Sequence, residues 1–195
     1  MNQRDAYFSG DVETDGPIPG RFSMLSFGLV YAGSSGGGDF ERPQSQLGLY
    51  RELKPVADDF EQEALDVSGL DRDRLKVEGF EPRRAMNEAA AWVREIAGDR
   101  KPVLVAFPAG FDWMWLHWYF TAFADGGSPF GHSQCFDVKT AASTILHRPV
   151  GACGLSKLPD RVLPAREHTH HPIDDAKRQA EIFANLMDIS LWRGA

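Results

Sequence analysis

Alternating and continuous apolar runs separate from stretches with apolar residues three and four apart, and the two patterns divide the 195 residues into strands and helices. Ala6 to Gly16 (AYFSGDVETDG) reads as a strand that ends in carboxylates and a turn. Met24 to Tyr31 (MLSFGLVY) reads as a mostly buried second strand, and the glycine-rich Ala32 to Asp39 as a flexible hairpin tip. Leu47 to Leu53 completes a three-stranded antiparallel start. Asp58 and Asp59 are placed to cap a short helix running to about Val67, with Ser68-Gly69 as its stop. Arg83 to Ile96 is alanine-rich, and Ala85, Ala89, Trp92, Val93 and Ile96 supply one apolar helix face. Pro102 to Phe107 (PVLVAF) reads as a buried strand, parallel to the first through the helical crossover.

In the second half, Phe111, Met114, Trp115, Trp118 and Ala122 recur at helical spacing, which makes the aromatic cluster core rather than a base-stacking platform. Gln134 to Val138 predicts a short final strand, followed by a helix over Lys139 to Leu146. The last helix starts near Pro172, a favoured first-turn residue, with Ile173, Ala176, Ala180, Phe183 and Met187 as its core stripe. The expected architecture is α/β: a mixed five-stranded sheet, antiparallel at first and then parallel, flanked by helices, in one domain covering 1–195.

Composition narrows the class. Hydrophobic residues at 43% and charged residues at 25% are globular proportions. No apolar run approaches the ~20 residues of a membrane-spanning helix, and the start of the chain lacks a secretory layout. Two cysteines, Cys135 and Cys153, lie far from any CxxC spacing, so neither a disulfide framework nor a zinc site is expected. A cytoplasmic setting without membrane partners is the default. The net charge of −7 excludes a protein that holds nucleic acid by bulk electrostatics alone, but not an enzyme whose acids are neutralised by metal ions. Lys139, Arg148, Lys157, Arg161 and Arg166 form a locally basic stretch, which reads first as a solvated surface.

Candidate chemistry begins at the first strand. Asp11 and Glu13 point to one face, while Val12 points to the other, into the core. Paired acids at a strand end fit either a polar turn or a ledge for hard cations such as Mg²⁺ or Mn²⁺. Asp112 follows a strand and a Pro-Ala-Gly turn, at the carboxyl edge where open α/β sheets place their chemistry. His170 precedes the last helix and Asp175 stands in its first turn beside the apolar stripe.

Together, Asp11-x-Glu13-Thr14-x-Gly16, Phe111-Asp112 and His170-x₄-Asp175 resemble the three motifs of the DEDDh branch of 3′–5′ exonucleases. That superfamily includes polymerase proofreading domains, RNase T and oligoribonuclease. The resemblance runs from Asp11 to about Leu186 and implies an RNase H-like fold. It also implies hydrolysis of single-stranded RNA or DNA from the 3′ end to nucleoside 5′-monophosphates. Asp11, Glu13, Asp112 and Asp175 would hold two Mg²⁺ or Mn²⁺ ions, with His170 as general base and His171 its nearest competitor. Family position puts Val12, Thr14, Gly16 and Phe111 against the terminal nucleotide, with the side chain of Met24 or Phe27. Asp137 resembles an acid that supports the site from behind, and His117 and His168 read as surface or packing residues. One departure is Phe107-Pro108-Ala109-Gly110, where the second motif often carries Asn or His. A specialised exoribonuclease and an inactive nucleic-acid-binding subunit are the alternatives. Short relatives that act alone are often homodimers.

Overall fold

The computed structural model describes residues 4–36, 39–164 and 171–192. Strand β1 (Asp5–Thr14) lies at the centre of a mixed sheet, antiparallel to β2 (Met24–Gly36) on one side and parallel to β5 (Lys101–Ala106) on the other. β3 (Asp39–Glu41) and β4 (Gly48–Glu52) both pair with β2, at different positions along it, and β6 (Cys135–Asp137) pairs in parallel with β5. The order is β3-β2-β1-β5-β6, with β4 also on β2. The five expected strands are present, as is the parallel pairing of the first strand with Pro102–Phe107.

β3 is an addition. The glycine-rich segment is not simply a hairpin tip, because β2 continues to Gly36 and pairs with Asp39–Glu41. Gly33 adopts φ 121° and a Cβ there would lie 2.6 Å from the carbonyl oxygen of Glu41, so this glycine serves close strand approach.

Helix α1 (Gln62–Ser68) starts later than Asp58 and Asp59 suggest. Asp59 instead pairs with Arg21 at 2.9 Å, and the helix start is held by the Glu61 amide donating to the Asp15 carbonyl. Helix α2 (Arg72–Glu78) has no counterpart in the sequence reading. Its short, charge-rich run RDRLKVE carries little apolar periodicity, and Asp71 caps it by accepting from the Arg74 amide. Helices α3 (Pro82–Ala97), α4 (Ala109–Phe123), α5 (Val138–Leu146) and α6 (Pro172–Trp192) lie within a few residues of expectation.

Alternation along β1 sorts the core into two layers. Phe8 and Val12 pack with α3 and α4, among Ala89, Val93, Trp115, Leu116 and Phe120. Tyr7 faces the opposite layer, with Val138, Ala142, Ala176, Ala180 and Phe183 of α5 and α6. The aromatic run is indeed core: Trp115, Tyr119 and Phe120 are fully buried. Among the described residues no helix is long and apolar enough to cross a membrane.

Candidate active site

Because β1 and β5 run in parallel, their carboxyl ends share one edge of the sheet. Asp11 and Glu13 occupy the end of β1, and the chain leaving β5 enters α4 with Asp112 in its first turn. The Asp112 Oδ1 accepts from the Val12 amide at 3.3 Å, which ties this helix start to the strand between the two acids. α6 delivers the fourth carboxylate, Asp175, in its own first turn and only 2% exposed.

Gly28 is what lets α6 come so close. It pairs with Asp11 across β1 and β2, and a Cβ on it would lie 2.6 Å from backbone atoms of Pro172 and Ile173. The start of α6 therefore rests directly on the strand beside Asp11. One helical turn beyond Asp175, Gln179 donates from Nε2 to Asp11 Oδ1 at 2.6 Å.

Four acids gathered in this way perturb one another. Asp11 is raised well above the ordinary carboxylate range, first by burial and then by Asp112, Glu13 and Asp175, with the Gln179 bond opposing. Burial, followed by the charge of Asp175, pushes Glu13 up to about 7. Burial also raises Asp112 to about 7, against the hydrogen bond from Val12. Among the described residues no Lys or Arg pairs with Asp11, Glu13 or Asp112. Nor do three His, Cys, Asp or Glu side chains there converge into a compact metal cluster. The acids stand instead within electrostatic range of one another. As an all-oxygen donor set, they fit hard divalent cations.

Asp137 caps α5 by accepting from the Thr140 amide at 2.6 Å. Its other oxygen accepts from the Ala109 amide at 2.6 Å, which pins the start of α4 three residues before Asp112. His170 and His168 lie outside the described residues. The His171 ring lies tilted against Tyr50 of β4 with centroids 4.6 Å apart, and His117 stacks on Trp113 at 4.8 Å.

A cleft of about 350 Å³ opens beside the acids, lined by Val12, Glu13, Thr14, Gly16, Pro17 and Phe111 on one side and Glu61, Glu63, Ala64 and Val67 on the other. Phe111 is 41% exposed there. Thr14 donates its hydroxyl to the Gly16 carbonyl, and Gly16 is required because a Cβ would overlap the Phe22 ring at 2.2 Å. Met24 and Phe27 do not reach this cleft. Both are fully buried in the α3–α4 layer, so the expectation of nucleotide contact by either side chain is corrected. Of the basic stretch, Arg148 and Lys157 donate to backbone carbonyls of their own loop, and Arg166 lies outside the described residues.

A helix to about Val67 was expected from the sequence, but not that it lines the cleft with Phe111. Asp15, fully buried, accepts from Arg72 Nε at 2.8 Å and from the Ser23 amide at 2.5 Å, and Arg72 also donates to the Ala57 carbonyl. This ion pair locks α2, and through it the α1 wall, to the end of β1. Gln179 was detectable in principle, being four residues after Asp175 on one helix face. Gly28 and Arg72 carry no local signal of their partners.

The arrangement of sheet and helices defines a class, the RNase H-like fold. Solved structures share the fold. A 3′-exonuclease that recognises the 3′ end of the histone mRNA stem-loop matches with TM-score 0.66 at 10% identity, over 100% of this chain and 84% of that one. Pop2p of S. pombe, in its Mg²⁺- and Mn²⁺-bound form, matches with TM-score 0.63 at 16% identity, over 91% and 81%. E. coli exonuclease I in complex with a dT13 oligonucleotide gives 0.62 at 15%, over 93% of this chain and 40% of that one. No family profile matches the chain. The 3′–5′ DNA exonuclease Cap18 of Escherichia coli is 35% identical over 188 residues, 96% of this chain and 94% of Cap18. The chain belongs to this family of the DEDD-type 3′–5′ exonucleases, and is a 3′–5′ exonuclease.

Proposed function

We infer that the protein removes nucleotides from the 3′ ends of single-stranded DNA, using Asp11, Glu13, Asp112 and Asp175 to hold two Mg²⁺ or Mn²⁺ ions and His170 as general base. The observation that carries the reading is the meeting of carboxylates from β1, α4 and α6 at one sheet edge, beside an open cleft. DNA is favoured because Cap18, similar over nearly its whole length, acts on DNA.

Divalent cations bound by these acids would generate a hydroxide from water and stabilise charge on the phosphate and on the departing 3′ oxygen. The chain's own residues do the rest. Phe111 and Val67 offer apolar surface to the terminal base from opposite walls, while the backbone of Val12 to Thr14 runs along the floor. Glu61 and Glu63 in the opposite wall repel phosphate, so the scissile phosphate lies toward Asp11 rather than deep in the cleft. His170 takes a proton from the attacking water on a ring nitrogen. The water oxygen bonds to phosphorus, the bond from phosphorus to the penultimate 3′ oxygen breaks, and a nucleoside 5′-monophosphate leaves.

The test is a panel of 5′-labelled DNA and RNA oligomers of several lengths with Mg²⁺, Mn²⁺ or EDTA. Stepwise shortening of single-stranded DNA from the 3′ end is expected with either metal and none with EDTA. Asp11→Asn is expected to abolish release of mononucleotides with the fold intact. Wild-type activity in that variant, or shortening of RNA alone, would refute the reading.

A further inference from the structure

Gln179 is a polar side chain only 6% exposed, held against the carboxylate cluster. Its Nε2 donates to Asp11 Oδ1 at 2.6 Å, shorter than a typical amide–carboxylate bond. Its Oε1 is buried and has no hydrogen-bond partner among the described residues. A buried amide oxygen left this way costs free energy comparable to a lost hydrogen bond. A position needing only helix propensity and packing would hold an apolar residue, as Ala176, Ala180 and Phe183 on the same helix do.

We propose that Gln179 is a positioning residue for the metal centre, and this rests on the metal-binding role assigned above to Asp11. The bond from Nε2 occupies one lone pair of Oδ1 and fixes the rotation of the Asp11 carboxylate. Asp11 then presents Oδ2 in a set direction and cannot swing both oxygens onto one cation. The orientation of the amide follows from the chemistry of its partner, since a metal-ligating Asp11 is ionised, accepts only and so selects nitrogen over oxygen. The buried Oε1 is an acceptor beside the cluster, suited to a water that the site orders. α6 thus supplies a ligand at Asp175 and, one turn later, the group that aims a ligand on β1. Partners of this kind typically change metal affinity 10–100-fold when removed.

Metal binding is measured on the full chain without nucleic acid, by following free Mn²⁺ with electron paramagnetic resonance, for wild type, Asp11→Asn, Gln179→Met and Gln179→Glu. Thermal unfolding of each in EDTA is recorded in parallel. Wild type is expected to bind Mn²⁺ and Asp11→Asn to lose at least one site. Gln179→Met, of similar volume and apolar, is expected to weaken Mn²⁺ binding about 10-fold or more while unfolding in EDTA within a few degrees of wild type. Its exonuclease activity should recover in part as Mn²⁺ is raised. Gln179→Glu, which turns an oxygen toward Asp11, should not restore wild-type affinity. Unchanged Mn²⁺ affinity in Gln179→Met overturns the positioning role and leaves the metal site standing. So does weaker binding that merely accompanies a large fall in unfolding temperature. A wild-type chain that binds no Mn²⁺ overturns the metal reading itself.

Discussion

Replacing Glu13 by glutamine should make the metal-free protein more stable while removing its activity. The side chain keeps its size, so the perturbation is confined to charge. Burial first, and the charge of Asp175 second, raise the Glu13 carboxyl from 4.5 to about 7. The folded protein therefore holds a proton here that the unfolded chain has released. The Glu13 contribution to metal-free stability is greatest below about pH 4.5, falls as pH rises, and levels off above about pH 7. At about 1.4 kcal/mol per pH unit the full penalty is roughly 3 kcal/mol. Glu13 keeps part of its surface in water, so about half of that is expected, ~1.5–2 kcal/mol. Glutamine does not titrate and avoids the penalty. For 195 residues the unfolding entropy is about 0.4 kcal/mol per degree, so Tm should rise by about 4 °C at pH 8 in EDTA. At pH 5 about a quarter of the gain should remain, roughly 1 °C. Saturating Mg²⁺ should reverse the order, because a ligand that binds only the folded state stabilises by its own mass action and wild type binds it better. Scanning calorimetry of both proteins at pH 5 and pH 8, with EDTA or Mg²⁺, checks this. A variant no more stable than wild type in EDTA at pH 8, or equally favoured at pH 5, would refute the electrostatic account of the cluster.

Two further substitutions test how the cluster is assembled. Gly28→Ala puts a methyl group 2.6 Å from the Pro172–Ile173 backbone, so the start of α6 must retreat by nearly an ångström; misplacement on that scale costs about 10²-fold in rate, read as kcat on a DNA oligomer with circular dichroism showing the fold retained. Arg72→Met leaves the buried Asp15 carboxylate without its ion-pair partner, so urea unfolding should show a loss of about 3–5 kcal/mol, and in the folded fraction KM for oligonucleotide should rise through the freed cleft wall.

The order of the main strands and helices, the crossover to a parallel β5 and the candidate acids were legible along the chain, while β3 and α2 were not. Each rests on local periodicity or on a short motif: Asp11 and Glu13 lie two residues apart on one strand, and Asp112 follows a strand-turn signal. Substrate contacts were less legible. Met24 was expected at the nucleotide and lies in the core instead, because sequence alternation tells which residues share a face but not which face the site occupies. The place of α1 as a cleft wall, and α2 altogether, were not legible for a related reason. α2 is held by one buried ion pair between Arg72 and Asp15, fifty-seven residues apart, rather than by an apolar stripe.

By itself, then, the sequence determined the fold class, the order of the main elements and the carboxylates proposed to hold metal ions. Tertiary structure alone decided how close those carboxylates stand and what restrains them. Gly28 allows α6 to rest on β2, Gln179 reaches Asp11 from across that contact, and Asp137 ties α5 to the start of α4. These are through-space distances between segments far apart in the chain, and local periodicity carries no information about them.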